Sequence, residues 1–272
     1  MEYHVFLNFA IKAVLNAGKE ILKIYETNFS VEIKNDNTPV TIADKKASET
    51  IINTLKHLEI PIICEEEPLC DYLIRKDWER LWLVDPLDGT KEFVKRNGEF
   101  TVNIALIENN IPVIGVIYSP VFEVMYYAAK NTGSYKICQE KLIEEVDKNQ
   151  NNFIEAVLRN SEKLPNQLLP KTYTVVASRS HLNRDINEHL EKLKKTYGDV
   201  DIINVGSSIK QCWIAEGKAH EYLRLGTTME WDTAAGQCII EQSGGQITDL
   251  ETKTPLLYNK PTMKNNFFIA KA

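Results

Sequence analysis

Apolar residues recur at helical spacing from the start of the chain: Val5, Phe9, Val14, Ala17, Ile21, Leu22 and Ile24, with Glu2, His4, Asn8, Lys12, Asn16 and Lys19 between them. The pattern predicts an opening amphipathic helix. The stretch 34–41 is polar and interrupted by Pro39, which predicts a loop or short hairpin. A second helix is expected over 43–58, with Ala47, Ile51, Ile52 and Leu55 on one face. Short buried strands are expected at 60–63, running into Glu65, Glu66 and Glu67, and at 81–84, running into Asp85. Alternating stretches at 101–107, 113–118 and 124–128 predict antiparallel strands, with turns at Asn109-Asn110 and Ser119-Pro120. From 140 to 170 the chain is rich in Asn, Gln, Lys and Glu, and a surface excursion between two parts of the molecule is expected. Beyond it, strands at 173–177, 200–205, 220–223 and 246–248 alternate with helices at 183–195, 208–216 and 233–242. In the first of these helices Ile186, Leu190 and Leu193 face inward.

Alternation of this kind predicts a layered α/β architecture. Its parts are an α+β segment over 1–140, a connection or surface insertion over 141–172 and an α/β segment over 173–272. Composition then removes whole classes. With 32 basic against 38 acidic residues and a net charge of −6, the chain is not a generally basic nucleic-acid binder. Its 5 cysteines are scattered, with no CxxC pair, so neither a disulfide framework nor structural zinc is expected, and a reducing, cytoplasmic setting fits. No apolar run is long enough to span a membrane, and the polar residues near the N-terminus do not fit a signal peptide.

The sharpest chemical signal is Asp85-Pro86-Leu87-Asp88-Gly89-Thr90. A hydrophobic strand delivers two carboxylates to one tight turn, a natural ligand pair for a hard divalent cation. A helix beginning at Lys91 would add N–H groups suited to a phosphate. A helix-capping turn would use the same residues. The carboxylates stand three apart, which does not fit the DxDGT spacing of phosphatases that form an aspartyl phosphate. The glutamates at 65–67 occupy the same position after a strand as Asp85, so one of them is a plausible third ligand, although surface acids are commonly just solvated. Asp232, in Trp231-Asp232-Thr233-Ala234-Ala235-Gly236, stands where an N-cap is expected, and Asp44 precedes or opens a helix; capping alone would account for either.

Together these segments, with Thr38-Pro39-Val40-Thr41-Ile42-Ala43-Asp44, resemble the inositol monophosphatase superfamily of lithium-sensitive, magnesium-dependent phosphatases. The similarity runs from about residue 5 to 270, with four motifs in the family's order. The stretch 85–107, Ser178-Arg179-Ser180-His181 and Gly206-Ser207-Ser208-Ile209-Lys210 are closer still to the CysQ-type 3′(2′),5′-bisphosphate nucleotidases. The resemblance implies an α-β-α-β-α sandwich with two or three Mg²⁺ ions between its halves. Their ligands would be Glu65, Asp85, Asp88, Asp232 and the Leu87 carbonyl, while Asp44 and Thr90 orient the attacking water. Gly89, Thr90, His181, Ser207, Lys210 and Arg224 would surround the nucleotide.

Inositol-selective members carry an acid where this chain has Arg224, and a cation there suits a second phosphate rather than sugar hydroxyls. The implied reaction is removal of the 3′-phosphate of adenosine 3′,5′-bisphosphate, in sulfur metabolism, with 3′-phosphoadenylyl sulfate as a second substrate. Hydrolysis of inositol monophosphate or fructose 1,6-bisphosphate, and a non-catalytic sensor of adenosine bisphosphate, are the rival expectations. Peripheral contact with a membrane, as some relatives make, is compatible with the sequence. Lys91, Lys95 and Arg96 are expected either to add positive potential at the entrance or to form a solvated helix face. The 139–170 connection is expected to be longer than in typical members and without catalytic effect.

Overall fold

A computed structural model describes residues 2–33, 39–148, 153–177 and 184–272. Its first part runs α1 (Glu2–Tyr25), β1 (Val31–Ile33), β2 (Pro39–Thr41), α2 (Ile42–Leu55), β3 (Ile62–Cys64), α3 (Tyr72–Arg75), β4 (Arg80–Asp88), α4 (Thr90–Val94), β5 (Thr101–Glu108), β6 (Ile111–Ser119), β7 (Val124–Ala129) and β8 (Gly133–Cys138). It continues through α5 (Gln139–Lys148), α6 (Phe153–Arg159) and β9 (Glu162–Lys163). The second part runs β10 (Tyr173–Ala177), α7 (Arg184–Tyr197), β11 (Val200–Asn204), α8 (Ile209–Glu216), β12 (Glu221–Arg224), α9 (Glu230–Gln242), β13 (Gln246–Asp249) and β14 (Phe268–Lys271).

Besides the two-stranded β1-β2 pair, two larger sheets result among the described residues. One has seven strands in the order β3-β4-β5-β6-β7-β8-β9; the other has five in the order β11-β10-β12-β14-β13. The apolar stripe of α1 (Leu7, Ile11, Val14, Ile21) and that of α2 (Ala47, Ile51, Leu55) are fully buried in one core with the sheet residues Trp82, Val84, Ile104 and Val116. The other face of that sheet packs on α9 and α8, which rest in turn against the smaller sheet; α7 covers its far side. The layers are therefore α-β-α-β-α, as the motifs imply.

Being enclosed between two sheets dictates the composition of α9. Ala234, Ala235 and Gly236 let it approach strands on one side and α8 on the other. The closest approach is at Gly115 on β6, where a Cβ would lie 2.3 Å from the Ala235 carbonyl oxygen and 2.9 Å from the Cys238 Cβ. Gly115→Ala is expected to cost about 2–3 kcal/mol, because a helix backbone, unlike a side-chain tip, cannot step aside. A thermal melt should show the midpoint falling by roughly 5–10 °C.

Two expectations need correction. The polar 140–170 stretch is more than an excursion: Leu142, Phe153, Ile154 and Val157 enter the α1 core, and β9 pairs with β8. Helix α9 starts three residues before the expected 233, and β14 was not foreseen. In keeping with the short hairpin expected there, β2 begins at Pro39 and pairs antiparallel with β1. All 5 cysteines are unpaired thiols, and no helix of the described residues is long and apolar enough to cross a membrane.

Candidate metal and phosphate site

Strand register explains why the acids converge. Strands β3 and β4 are parallel, with Cys64 beside Val84, so the next residues, Glu65 and Asp85, emerge together at the strand ends. The Glu65 N–H donates to the Val84 carbonyl at 3.1 Å. Residues three apart on a regular strand point to opposite faces. Between Asp85 and Asp88, however, β4 carries a bulge against β5: Asp85 pairs with Asn103 and Asp88 with Thr101. The extra residue re-aims the strand end, and both carboxylates line one cavity. Gly89 then turns the chain into α4 with φ of +95°; a Cβ there would meet the Glu99 carbonyl oxygen at 3.1 Å and the Ser207 Cβ at 3.2 Å.

Asp44 and Asp232 reach the site by one device. Each is the third residue of its helix and uses Oδ2 to accept from the N-cap backbone: Thr41 N at 2.7 Å and Met229 N at 2.8 Å. Neither is itself the N-cap, as the sequence suggests for Asp232; reaching back one turn aims the carboxylate into the space before the helix. The cap leaves Oδ1 for other work. In Asp44 it accepts the Thr90 hydroxyl at 3.0 Å. The Thr90 oxygen also lies 3.3 Å from the Leu87 carbonyl.

Ligand oxygens of Glu65, Asp85 and Asp232 lie within 4.8 Å of one another. Burial, followed by the charges of Glu65, Asp88 and Asp232, pushes the Asp85 pKa well above the carboxylate range. Burial, then the Asp88 charge, pushes Asp232 up to about 8. Asp88 is raised by burial, against the opposing pull of Lys210. Like charges so confined call for a cation, and an all-oxygen donor set suits a hard divalent one such as Mg²⁺. Glu65 is thus the glutamate of the triplet that joins the cluster, whereas Glu66 lies near enough to Asp44 to raise its pKa.

The pH dependence follows in sign. A raised folded-state pKa stabilises below the unfolded value, and that contribution is lost as pH climbs through the folded value. The metal-free protein is therefore expected to lose stability between about pH 4 and pH 8 from Asp232 alone. A divalent cation should cancel the loss and displace protons at pH 7. Calorimetric titration with Mg²⁺ in two buffers of different ionisation enthalpy should show that release; no buffer dependence would contradict it.

Two contiguous cavities meet over these acids. One of about 250 Å³ holds Pro39, Glu65, Asp85, Leu87, Thr90 and Asp232. The other, about 160 Å³, reaches Ser207, Lys210, Tyr222, Arg224 and Phe268. Asp88, Gly89, Lys91, Glu92, Arg224 and Asp232 line both. Arg224 donates to the Thr227 carbonyl through Nη2 at 3.0 Å, while its Nε is buried without an acceptor. Burial lowers the Lys210 pKa to about 8, with Asp88 opposing; its ammonium donates to the Ser207 carbonyl at 2.6 Å.

Among the sequence-predicted residues, Asp44, Glu65, Asp85, Leu87, Asp88, Gly89, Thr90, Ser207, Lys210, Arg224 and Asp232 come together around this space. His181, with Ser178, Arg179, Ser180 and Thr38, lies outside the described residues. Lys91 lines the cavities, but Arg96 is committed elsewhere: its guanidinium donates to the Tyr25 and Thr27 carbonyls and lies over Phe29. Sequence reasoning missed Gln211, whose amide donates to the Asp232 carbonyl at 2.8 Å, and Glu92, Tyr222 and Thr228 of the cavity wall. No local pattern marks them.

The inositol monophosphatase family model matches residues 2–271. The 3′(2′),5′-bisphosphate nucleotidase CysQ of Salmonella typhimurium is 42% identical over 243 residues, 88% of either chain. That of Escherichia coli K12 is 40% identical over 247 residues, 89% of either chain. The crystal structure of CysQ from Bacteroides thetaiotaomicron, a bacterial member of the inositol monophosphatase family, superposes with a TM-score of 0.89 at 43% identity, covering 99% of this chain and 98% of that one. The inositol monophosphatase of Thermotoga maritima shares the fold at a TM-score of 0.73 with 21% identity.

Proposed function

The chain belongs to the inositol monophosphatase family, and on that footing we propose that it is a Mg²⁺-dependent phosphatase converting adenosine 3′,5′-bisphosphate to AMP and phosphate. Its sulfated counterpart, 3′-phosphoadenylyl sulfate, is the second substrate proposed. One observation carries the choice. The site has two ends of opposite character, a carboxylate cluster and, across the shared wall, Lys210 with the unfilled Arg224 donor. A ligand with two phosphates satisfies both ends, the scissile one at the cations and the other at the basic end. An inositol monophosphate would bring no second anion to Lys210 and Arg224.

Glu65, Asp85, Asp88, Asp232 and the Leu87 carbonyl are the proposed ligands of two or three Mg²⁺ ions. Such ions lower the pKa of water and stabilise negative charge on phosphoryl oxygens. The protein's own part centres on Asp44 and Thr90. Asp44 Oδ1 holds the Thr90 hydroxyl hydrogen, so the Thr90 oxygen offers its lone pairs to a water and orients it toward phosphorus. The water's proton passes through Thr90 to Asp44, whose pKa burial raises toward that of a general base. As the new P–O bond forms, the bond to the 3′ oxygen breaks; the leaving oxygen takes a proton from solvent water to give AMP, and Asp44 returns the proton it received to solvent. No side chain becomes phosphorylated. Chromatography of the reaction should yield AMP and one phosphate per nucleotide, dependent on Mg²⁺; tight binding without products would instead favour a sensor.

A further inference from the structure

Asp88 is held from behind by a buried set of hydroxyls and amides. Its Oδ2 accepts the Ser208 N–H at 2.6 Å and lies 3.5 Å from the Asn103 side-chain nitrogen. Asn103 Oδ1 lies 2.8 Å from Ser208 Oγ and 3.0 Å from Thr101 Oγ1. Those two hydroxyls are 2.7 Å apart, and Thr101 is 3.1 Å from Ser207 Oγ. Thr101, Asn103 and Ser208 are each at most 1% exposed.

The protons can be assigned. Two oxygens 2.7 Å apart need a hydrogen between them, so only one of the pair donates to Asn103. The shorter contact to Asn103 belongs to Ser208. Ser207 then donates to Thr101, Thr101 to Ser208, Ser208 to Asn103, and the Asn103 amide to Asp88. Every donor in this relay points toward the carboxylate, so the bonds polarise one another in one direction. The relay starts at Ser207, a cavity residue with φ of +50°, and ends on a proposed cation ligand. It also crosses from the start of β5, inside the large sheet, to the start of α8.

Resting on the function proposed above, we propose that Thr101, Asn103 and Ser208 are positioning residues that fix Asp88 for the cation and couple its hold to occupancy of the nucleotide end at Ser207. A ligand that orders Ser207 orders the relay behind it, and through Thr101 holds Asp88 where the cation needs it.

The test is calorimetric titration of Mg²⁺ into the full chain, with and without AMP. Thr101→Val keeps shape and burial but removes a link that touches neither the cation nor the nucleotide. It is expected to lower Mg²⁺ affinity about 10-fold and to cut the AMP-dependent gain at least threefold, with the melting temperature of the metal-free protein little changed. Thr101→Ser should restore both quantities. Asn103→Ala should lower Mg²⁺ affinity further, by about 10- to 100-fold. The relay is overturned if Thr101→Val stays within twofold of the parent in both, or if Thr101→Ser fails to rescue. A parent that binds Mg²⁺ normally but does not turn over the bisphosphate would instead remove the substrate assignment and leave the relay intact.

Discussion

Replacing Asp85 with Asn should lower kcat/KM by at least about 10³-fold, roughly 4 kcal/mol of transition-state stabilisation. The same change should leave the metal-free fold as stable as the parent or more so. Asp85 is 1% exposed and crowded by Glu65, Asp88 and Asp232, and the hydrogen bond it accepts from the Leu87 N–H at 3.1 Å can equally be accepted by an amide oxygen. Removing a charge that the fold must otherwise confine relieves repulsion; removing a ligand disables the site. Activity and melting temperature should therefore move in opposite directions, and Mg²⁺ should no longer raise the melting temperature as it does for the parent. Loss of both activity and fold would mean that Asp85 is a structural residue.

Arg224→Glu bears on the substrate. Arg224 ends β12 at the wall shared by both cavities, with its Nε unfilled. Exchanging it for a carboxylate removes a charge-assisted bond and adds repulsion, for an expected loss of about 10²- to 10³-fold in kcat/KM toward the bisphosphate. Turnover of a sugar monophosphate, which does not reach this end, should change less than about threefold. Steady-state kinetics on both substrates would show it, and an equal fall in the two would contradict the role of Arg224.

Much of the site was legible because short motifs carried the geometry within themselves. The hexapeptide 85–90 contains its own strand end, bulge and turn, and the 231–236 segment marks a helix start through its small residues. What was hidden depends on distance along the chain. Thr101, Asn103 and Ser208 meet across more than 100 residues, and a neutral residue inside a strand differs in no periodic way from its neighbours. The 140–170 segment misled for another reason. Its buried residues, Leu142 and the Phe153–Val157 group, are few and spaced among charges, so a polar average masked two helices that complete the α1 core. Arg96 shows the reverse error: a cation near a phosphate motif invites a binding role, yet its donors are already taken by the end of α1 and the turn after it.

Selection of a substrate with two phosphates is the central claim, and the most direct measurement is kcat/KM for adenosine 3′,5′-bisphosphate beside inositol 1-phosphate at saturating Mg²⁺. A preference of at least about 10²-fold for the nucleotide is expected from the charge-assisted contacts at Lys210 and Arg224. Equal turnover of the two, or a preference for the inositol ester, would contradict the claim while leaving the acidic cluster as a cation site.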